Sequence, residues 1–138
     1  MTYNPFSLKD KTILITGASS GIGRQCAIDC SKMGAKVVMI ARNEERLNET
    51  LRMMDGDGHS MYIFDLNNVE GIKELVSNIV DDNGKLDGFV HAAGIEMTKP
   101  VKLLTHEDYQ QVYRVNTVSG FEFVRQFGSI KTFNKSGG

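Results

Sequence analysis

The chain has 138 residues, enough to bury a sizeable core as one domain without metals or disulfides. Its 16 basic and 17 acidic residues leave it almost neutral, which argues against a non-specific nucleic-acid binder, since such a surface carries a basic excess. No apolar run approaches the ~20 residues that cross a bilayer, and Met1–Phe6 lacks the charged and apolar regions of a signal peptide, so a cytoplasmic protein with no membrane partner is expected.

Thr12–Thr16 is a short apolar run ending at a glycine turn, the pattern of a buried parallel strand. A helix is expected from Ile22 to Met33, stopped by Gly34. Its Cys26 and Cys30 fall four apart and read as small core positions, with a redox pair as the alternative. No second cysteine pair exists to complete a zinc pattern, so no metal site is expected. Lys36–Ala41 is a second buried strand. Asn43 then caps a charged helix running to about Met54 and ended by Asp55–Gly58.

Met61–Phe64 forms the third predicted strand. Asn67 with Glu70 has the spacing of a capping box for a helix reaching about Asp82. Leu86–Ala92 is the fourth strand. Thr105 starts a last helix as its N-cap, and that helix carries Tyr109, Val112, Tyr113, Asn116, Gly120, Phe123 and Phe127. Beyond Lys131 the pattern thins, and Ser136–Gly138 reads as a turn into a fifth strand. Strands alternating with helices predict an α/β fold: a doubly wound parallel sheet in a three-layer α/β/α arrangement with right-handed crossovers.

The first strand-to-helix turn holds Gly17, Ser19, Ser20, Gly21 and Gly23, and the helix opens at Ile22. Glycines at this junction let backbone approach a pyrophosphate, with the helix N-terminal amides facing its charge. Two serine hydroxyls add short donors. A tight turn without a ligand is the competing reading, and the strand before and helix after weigh against it.

The spacing Thr16-Gly-Ala-Ser-Ser-Gly-Ile-Gly23 resembles the Thr-Gly-x-x-x-Gly-x-Gly signature of the short-chain dehydrogenase/reductase family, whose fold is of the Rossmann type. Three further segments carry the resemblance in the right order, which covers about Asp10 to Gly120. Asp65 and Leu66 close the third strand, where the family places an aspartate near adenine. His91, Ala92, Ala93 and Gly94 stand where it reads Asn-Asn-Ala-Gly. Asn116 with Gly120 matches its Asn-x-x-x-Gly. The resemblance implies a nicotinamide dinucleotide in the turn and at these strand ends, and a carbonyl or secondary alcohol as substrate. Asn116 would be the catalytic asparagine that holds a water in the proton relay. His91 replaces an asparagine, either taking over part of its hydrogen bonding or packing as a strand-end histidine.

Cofactor choice turns on the end of the second strand, where an acidic residue would hydrogen-bond the ribose 2′-OH. Ala41 and Arg42 stand there instead, and a guanidinium suits a phosphate, so NADP(H) is favoured over NAD(H). A solvated Arg42 paired with Glu44 or Glu45 is the alternative, and Ser20 occupies a place where NADP-preferring members often carry a second basic residue.

The family's catalytic Tyr-x-x-x-Lys does not occur. Four residues after Tyr3, Tyr62, Tyr109 and Tyr113 come Ser7, Leu66, Tyr113 and Thr117. His59, His91 and His106 fall in no ligand spacing. Residues 1–138 are therefore expected to be the N-terminal portion of an NAD(P)-binding Rossmann domain, cut after about the fourth strand and its helix, with the catalytic serine, tyrosine and lysine beyond. The whole enzyme would transfer a hydride between NADP(H) and a carbonyl, for instance in a 3-oxoacyl thioester, and this portion alone would be inactive. A non-catalytic NAD(P)-binding or regulatory module is the alternative. The cut would leave the fourth strand as an open edge, and the aromatic last helix packs on another subunit in relatives, so a homo-oligomer is expected.

Overall fold

The computed structural model describes residues 3–138. Four parallel strands, β1 (Thr12–Thr16), β2 (Lys36–Ala41), β3 (Ser60–Ile63) and β4 (Gly88–His91), form one sheet in the order β3-β2-β1-β4. The chain winds one way from β1 to β3 and then crosses to β4, so the switch point lies between β1 and β4. In open α/β sheets a crevice forms at that point, outside the carboxyl ends of the strands.

Helices cover both faces: α1 (Gly21–Lys32) and α2 (Glu44–Arg52) on one, α3 (Ile72–Asn83) and a long final helix on the other. The period-2 alternation of the central strands makes this possible. Ile13, Ile15, Val37 and Met39 pack with Ala27 and Leu47, whereas Leu14, Val38 and Ile40 pack with Ile72, Val76, Ile79 and Phe123. Both faces of β1 and β2 are dry, and this explains why those strands read as unbroken apolar runs.

The final helix begins as α4 (His106–Tyr113) under a complete capping box. Thr105 accepts from the Asp108 N–H at 3.2 Å, and Asp108 accepts from the Thr105 N–H at 3.0 Å. It continues through a π-helical segment, Arg114–Val118, into α5 (Ser119–Phe127).

Three expectations are corrected. The Asn67/Glu70 box does not form: Asn68 caps a short 3₁₀ turn, Val69–Gly71, while the Asn67 N–H is taken by Asp65 and Glu70 pairs with Arg114. With its N–H held by Asp65, Asn67 has no backbone donor left for the Glu70 carboxylate that would complete the box. β3 starts one residue earlier than predicted, and β4 is confined to Gly88–His91, because Leu86 turns to bridge Phe133. Nor is β4 a bare edge. Leu86 donates to Thr132 O and accepts from Asn134 N, Gly138 N donates to Asp87 O, and Phe89 N donates to Gly138 O, so residues 132–138 lie alongside its first half.

Candidate cofactor site

At the carboxyl end of the sheet, a cleft of about 650 Å³ opens between the glycine turn and the ends of β2, β3 and β4. That volume falls within the ~300–1,000 Å³ of small-molecule sites. Gly17, Ser19, Ser20, Gly21, Ile22, Arg42, Asp65, Leu66, Ala92, Ala93 and Gly94 all line it. Gly23 and His91 stand behind this lining, and Asn116 reaches it through Ile95.

The glycines act for different reasons. Gly17 has φ +69°, and a Cβ there would stand 2.7 Å from the Ala93 backbone, so the turn packs directly on the loop after β4. Gly23 lies against the Gly17 carbonyl, which locks helix to turn. Gly21 has φ +54°, but a Cβ on it would meet nothing within 4 Å, because it faces open cleft. The requirement for glycine at Gly21 is therefore conformational rather than steric.

α1 presents a bare N-terminus. Ser20 is its N-cap in extended conformation, yet its hydroxyl makes no capping bond and the first turn holds no acidic residue. Asn43 and Thr105, by contrast, cap α2 and α4 with their side chains, and both first turns carry carboxylates. Free N–H groups and the positive end of a helix dipole are a ready anion site.

Beyond the turn, Arg42 and Arg46 line the cleft with exposed guanidiniums that enter no hydrogen bond or ion pair among the described residues. The alternative of Arg42 tied to Glu44 or Glu45 is not what the structure holds. Asp65 is the one carboxylate among the lining residues. Arg46 escaped sequence reasoning; its position one turn after Asn43 in a capped helix was the available signal. So did Arg24, which donates to Ser19 O at 2.6 Å and Thr50 Oγ1 at 3.0 Å and pairs with Glu49, bracing the glycine turn against α2.

The loop after β4 is fixed by two side chains. Thr16, fully buried, accepts from the Ala93 N–H at 3.2 Å. Asn116, in the π segment, accepts from Ile95 N at 2.8 Å and donates to Ile95 O at 2.9 Å. π segments recur at functional sites because they break helical register locally.

Other candidates are structural. His59 accepts from Val37 N and contacts Asp55 O at the far end of β2 from the cleft. His106 bonds Gln110 on exposed α4. Cys26 and Cys30 pack under β1, where burial raises the Cys30 pKa and keeps it a thiol. Tyr62 donates to Asp82 at 2.7 Å; burial and that bond push its pKa up to about 12, the opposite of what a catalytic acid needs.

A sequence model described as short chain dehydrogenase matches residues 11–138. A 3beta-hydroxysteroid dehydrogenase from Mediterraneibacter gnavus is 40% identical over 133 residues, covering 94% of this chain and 47% of that protein. Among solved structures, a citronellol catabolism dehydrogenase from Pseudomonas aeruginosa superposes with TM-score 0.81 at 32% identity, over 91% of this chain and 53% of that one. A short chain dehydrogenase from Shigella flexneri, solved with NADP, gives TM-score 0.79 at 31% identity, over 89% of this chain and 54% of its own. The chain thus spans about half the length of the proteins it matches.

Proposed function

This chain belongs to the short-chain dehydrogenase family, and we propose that it is the cofactor-binding portion of an NADP(H)-dependent oxidoreductase that interconverts a carbonyl and a secondary alcohol. When bound, the nicotinamide supplies or accepts the hydride. The remaining work falls to the chain's own residues.

The bare amides of α1, with Gly17, Ser19, Ser20, Gly21, Ile22 and Gly23, hold the pyrophosphate; the open space over Gly21 and the uncapped helix support this. Asp65 keeps one oxygen on the Asn67 N–H and offers the other to the adenine amine beside Leu66. Ala92, Ala93 and Gly94 supply backbone to the nicotinamide half, with His91 behind them. Asn116 has its side chain occupied by Ile95 and one lone pair of its backbone carbonyl turned to His91, so the second lone pair of that carbonyl is the site proposed for a relay water. The observation that carries the cofactor choice is Arg42, just after β2 where an acidic residue would select NAD(H), with Arg46 beside it in the first turn of α2, both guanidiniums unpartnered among the described residues.

The substrate is proposed as a ketone or secondary alcohol. A hydroxysteroid, after the named relative, stands beside a 3-oxoacyl thioester and a sugar derivative. The catalytic Tyr-x-x-x-Lys is not among these 138 residues, so the chain alone is proposed to bind cofactor without turnover. We place it in the cytoplasm, where its free cysteines stay reduced. Among the described residues no helix is long and apolar enough to cross a membrane.

Titrating NADP⁺ and NAD⁺ into the chain tests the reading. A charge-assisted hydrogen bond is worth ~1.5–3 kcal/mol, so NADP⁺ should bind about ten- to a hundredfold tighter. Arg42→Ala should abolish that preference and Arg46→Ala reduce it, with NAD⁺ affinity little changed. A preference that survives Arg42→Ala refutes the choice of NADP(H).

A further inference from the structure

His91 stands where the family reads asparagine, and its ring touches both residues that fix the loop after β4. Nδ1 lies 2.8 Å from Thr16 Oγ1, and Nε2 lies 3.2 Å from the backbone oxygen of Asn116. A carbonyl only accepts, so Nε2 carries the proton of the neutral ring and Nδ1 is the acceptor. The Thr16 hydroxyl then has one consistent arrangement: it donates to Nδ1 while its oxygen receives the Ala93 N–H. The bonds run without a break from Ala93 through Thr16 and His91 to Asn116, whose side chain returns to Ile95. Gly120 makes room for the ring, since a Cβ there would meet His91 Cδ2 at 2.9 Å.

We propose that His91 is a positioning residue: in its neutral, Nε2-protonated form it joins Thr16 to the π segment and so holds residues 92–95, one wall of the cofactor cleft, in their binding geometry. The functional part of this rests on the cofactor reading above; the hydrogen-bond part does not. An asparagine amide at this position would not titrate, whereas a histidine makes this link only while Nδ1 is unprotonated. Protonation makes Nδ1 a donor, so the Thr16 hydroxyl must turn its hydrogen away and leave it without an acceptor, in a site where Thr16 has no access to water.

The surroundings favour the neutral ring. Thr16 faces it from β1, Phe89 from its own strand, and Val115, Asn116 and Gly120 from the final helix; no charged side chain contributes to its titration. Burial pushes its pKa below the usual 6.5, outweighing the backbone oxygens of Asn116 and Val115, which pull it up. The link is therefore complete above 6.5 and is lost as the pH falls through the lowered value.

The test follows His91 by ¹⁵N and ¹H NMR in the cofactor-free chain, and NADP⁺ affinity across the same pH range for the wild type and His91→Asn. The ring shifts should report Nε2–H, and the Ala93 and Ile95 amides should titrate together with the ring. The 2′-phosphate also titrates near pH ~6, so the comparison with His91→Asn isolates the ring. The wild type should lose at least about threefold relative to His91→Asn on acidification. An Nδ1–H tautomer, amides indifferent to the ring, or identical pH profiles overturns the proposal. Failure of both proteins to bind NADP⁺ at any pH strikes the cofactor reading instead, and the amide titration still decides the role of His91, even where His91→Asn does not fold.

Discussion

Gly17 and Gly21 share a positive φ but not a neighbourhood, and the difference separates folding from binding. At Gly17 an alanine meets both the left-handed penalty of ~1–2 kcal/mol and the Ala93 backbone 2.7 Å away. At Gly21 it meets the penalty alone, and its methyl projects into the cleft. Urea denaturation should therefore show Gly21→Ala folded and weakened by about 1–2 kcal/mol. Gly17→Ala should lose more than that, and equal losses would mean that the turn does not pack on the loop as described. Both glycines were readable from their spacing, and so was Arg42 from its place after an apolar strand. The partnership of His91 with Thr16 and Asn116 was not, because it joins three residues distant in sequence through a tautomer only the assembled fold defines. Arg24 and Arg46 were hidden for the same reason: on a helix surface most arginines are merely solvated, and only the position of α2 beside the turn distinguishes these.

Among the elements, α1 is the informative helix because something is missing from it. Its cap position holds a residue that normally caps, but Ser20 Oγ makes no such bond. Ser20→Asp would set a carboxylate at the positive end of the dipole, worth about 0.3–1 kcal/mol at a helix N-terminus, and would put negative charge where the pyrophosphate is proposed to sit. Thermal unfolding should shift upward while NADP⁺ affinity falls by about tenfold or more. Stabilisation with undiminished binding would remove the phosphate from that helix end. Helix starts were readable where a side chain caps, as at Asn43 and Thr105, and misread where two candidates adjoin, as at Asn67 and Asn68. The π segment left no mark in the apolar spacing, since one turn of widened register resembles ordinary scatter in the pattern.

At the scale of the molecule, the layers and the parallel sheet were readable because β1 and β2, dry on both faces, leave apolar runs of strand length between helical segments. The lateral cover on β4 was not, since residues 132–138 carry no strand periodicity and are recognisable only by their hydrogen bonds to Leu86, Asp87 and Phe89. With that edge partly closed, the final helix is the surface proposed to carry self-association. Phe123 is fully buried and Phe127 packs on Phe89 and Phe133, but Tyr113 is 63% exposed, Phe121 70% and Val124 57%. With Tyr109, 53% exposed, four large side chains are left in water on one helix; we propose them as a contact surface, and burying a Phe side chain is worth ~1.5–3 kcal/mol. Sedimentation should therefore show association that grows with concentration. Phe121→Lys with Val124→Lys should shift the chain to monomer while leaving the unfolding temperature nearly unchanged, because neither side chain contributes much to the core. A monomer at every concentration tested, in the wild type, would refute the homo-oligomer and leave this face for some other neighbour.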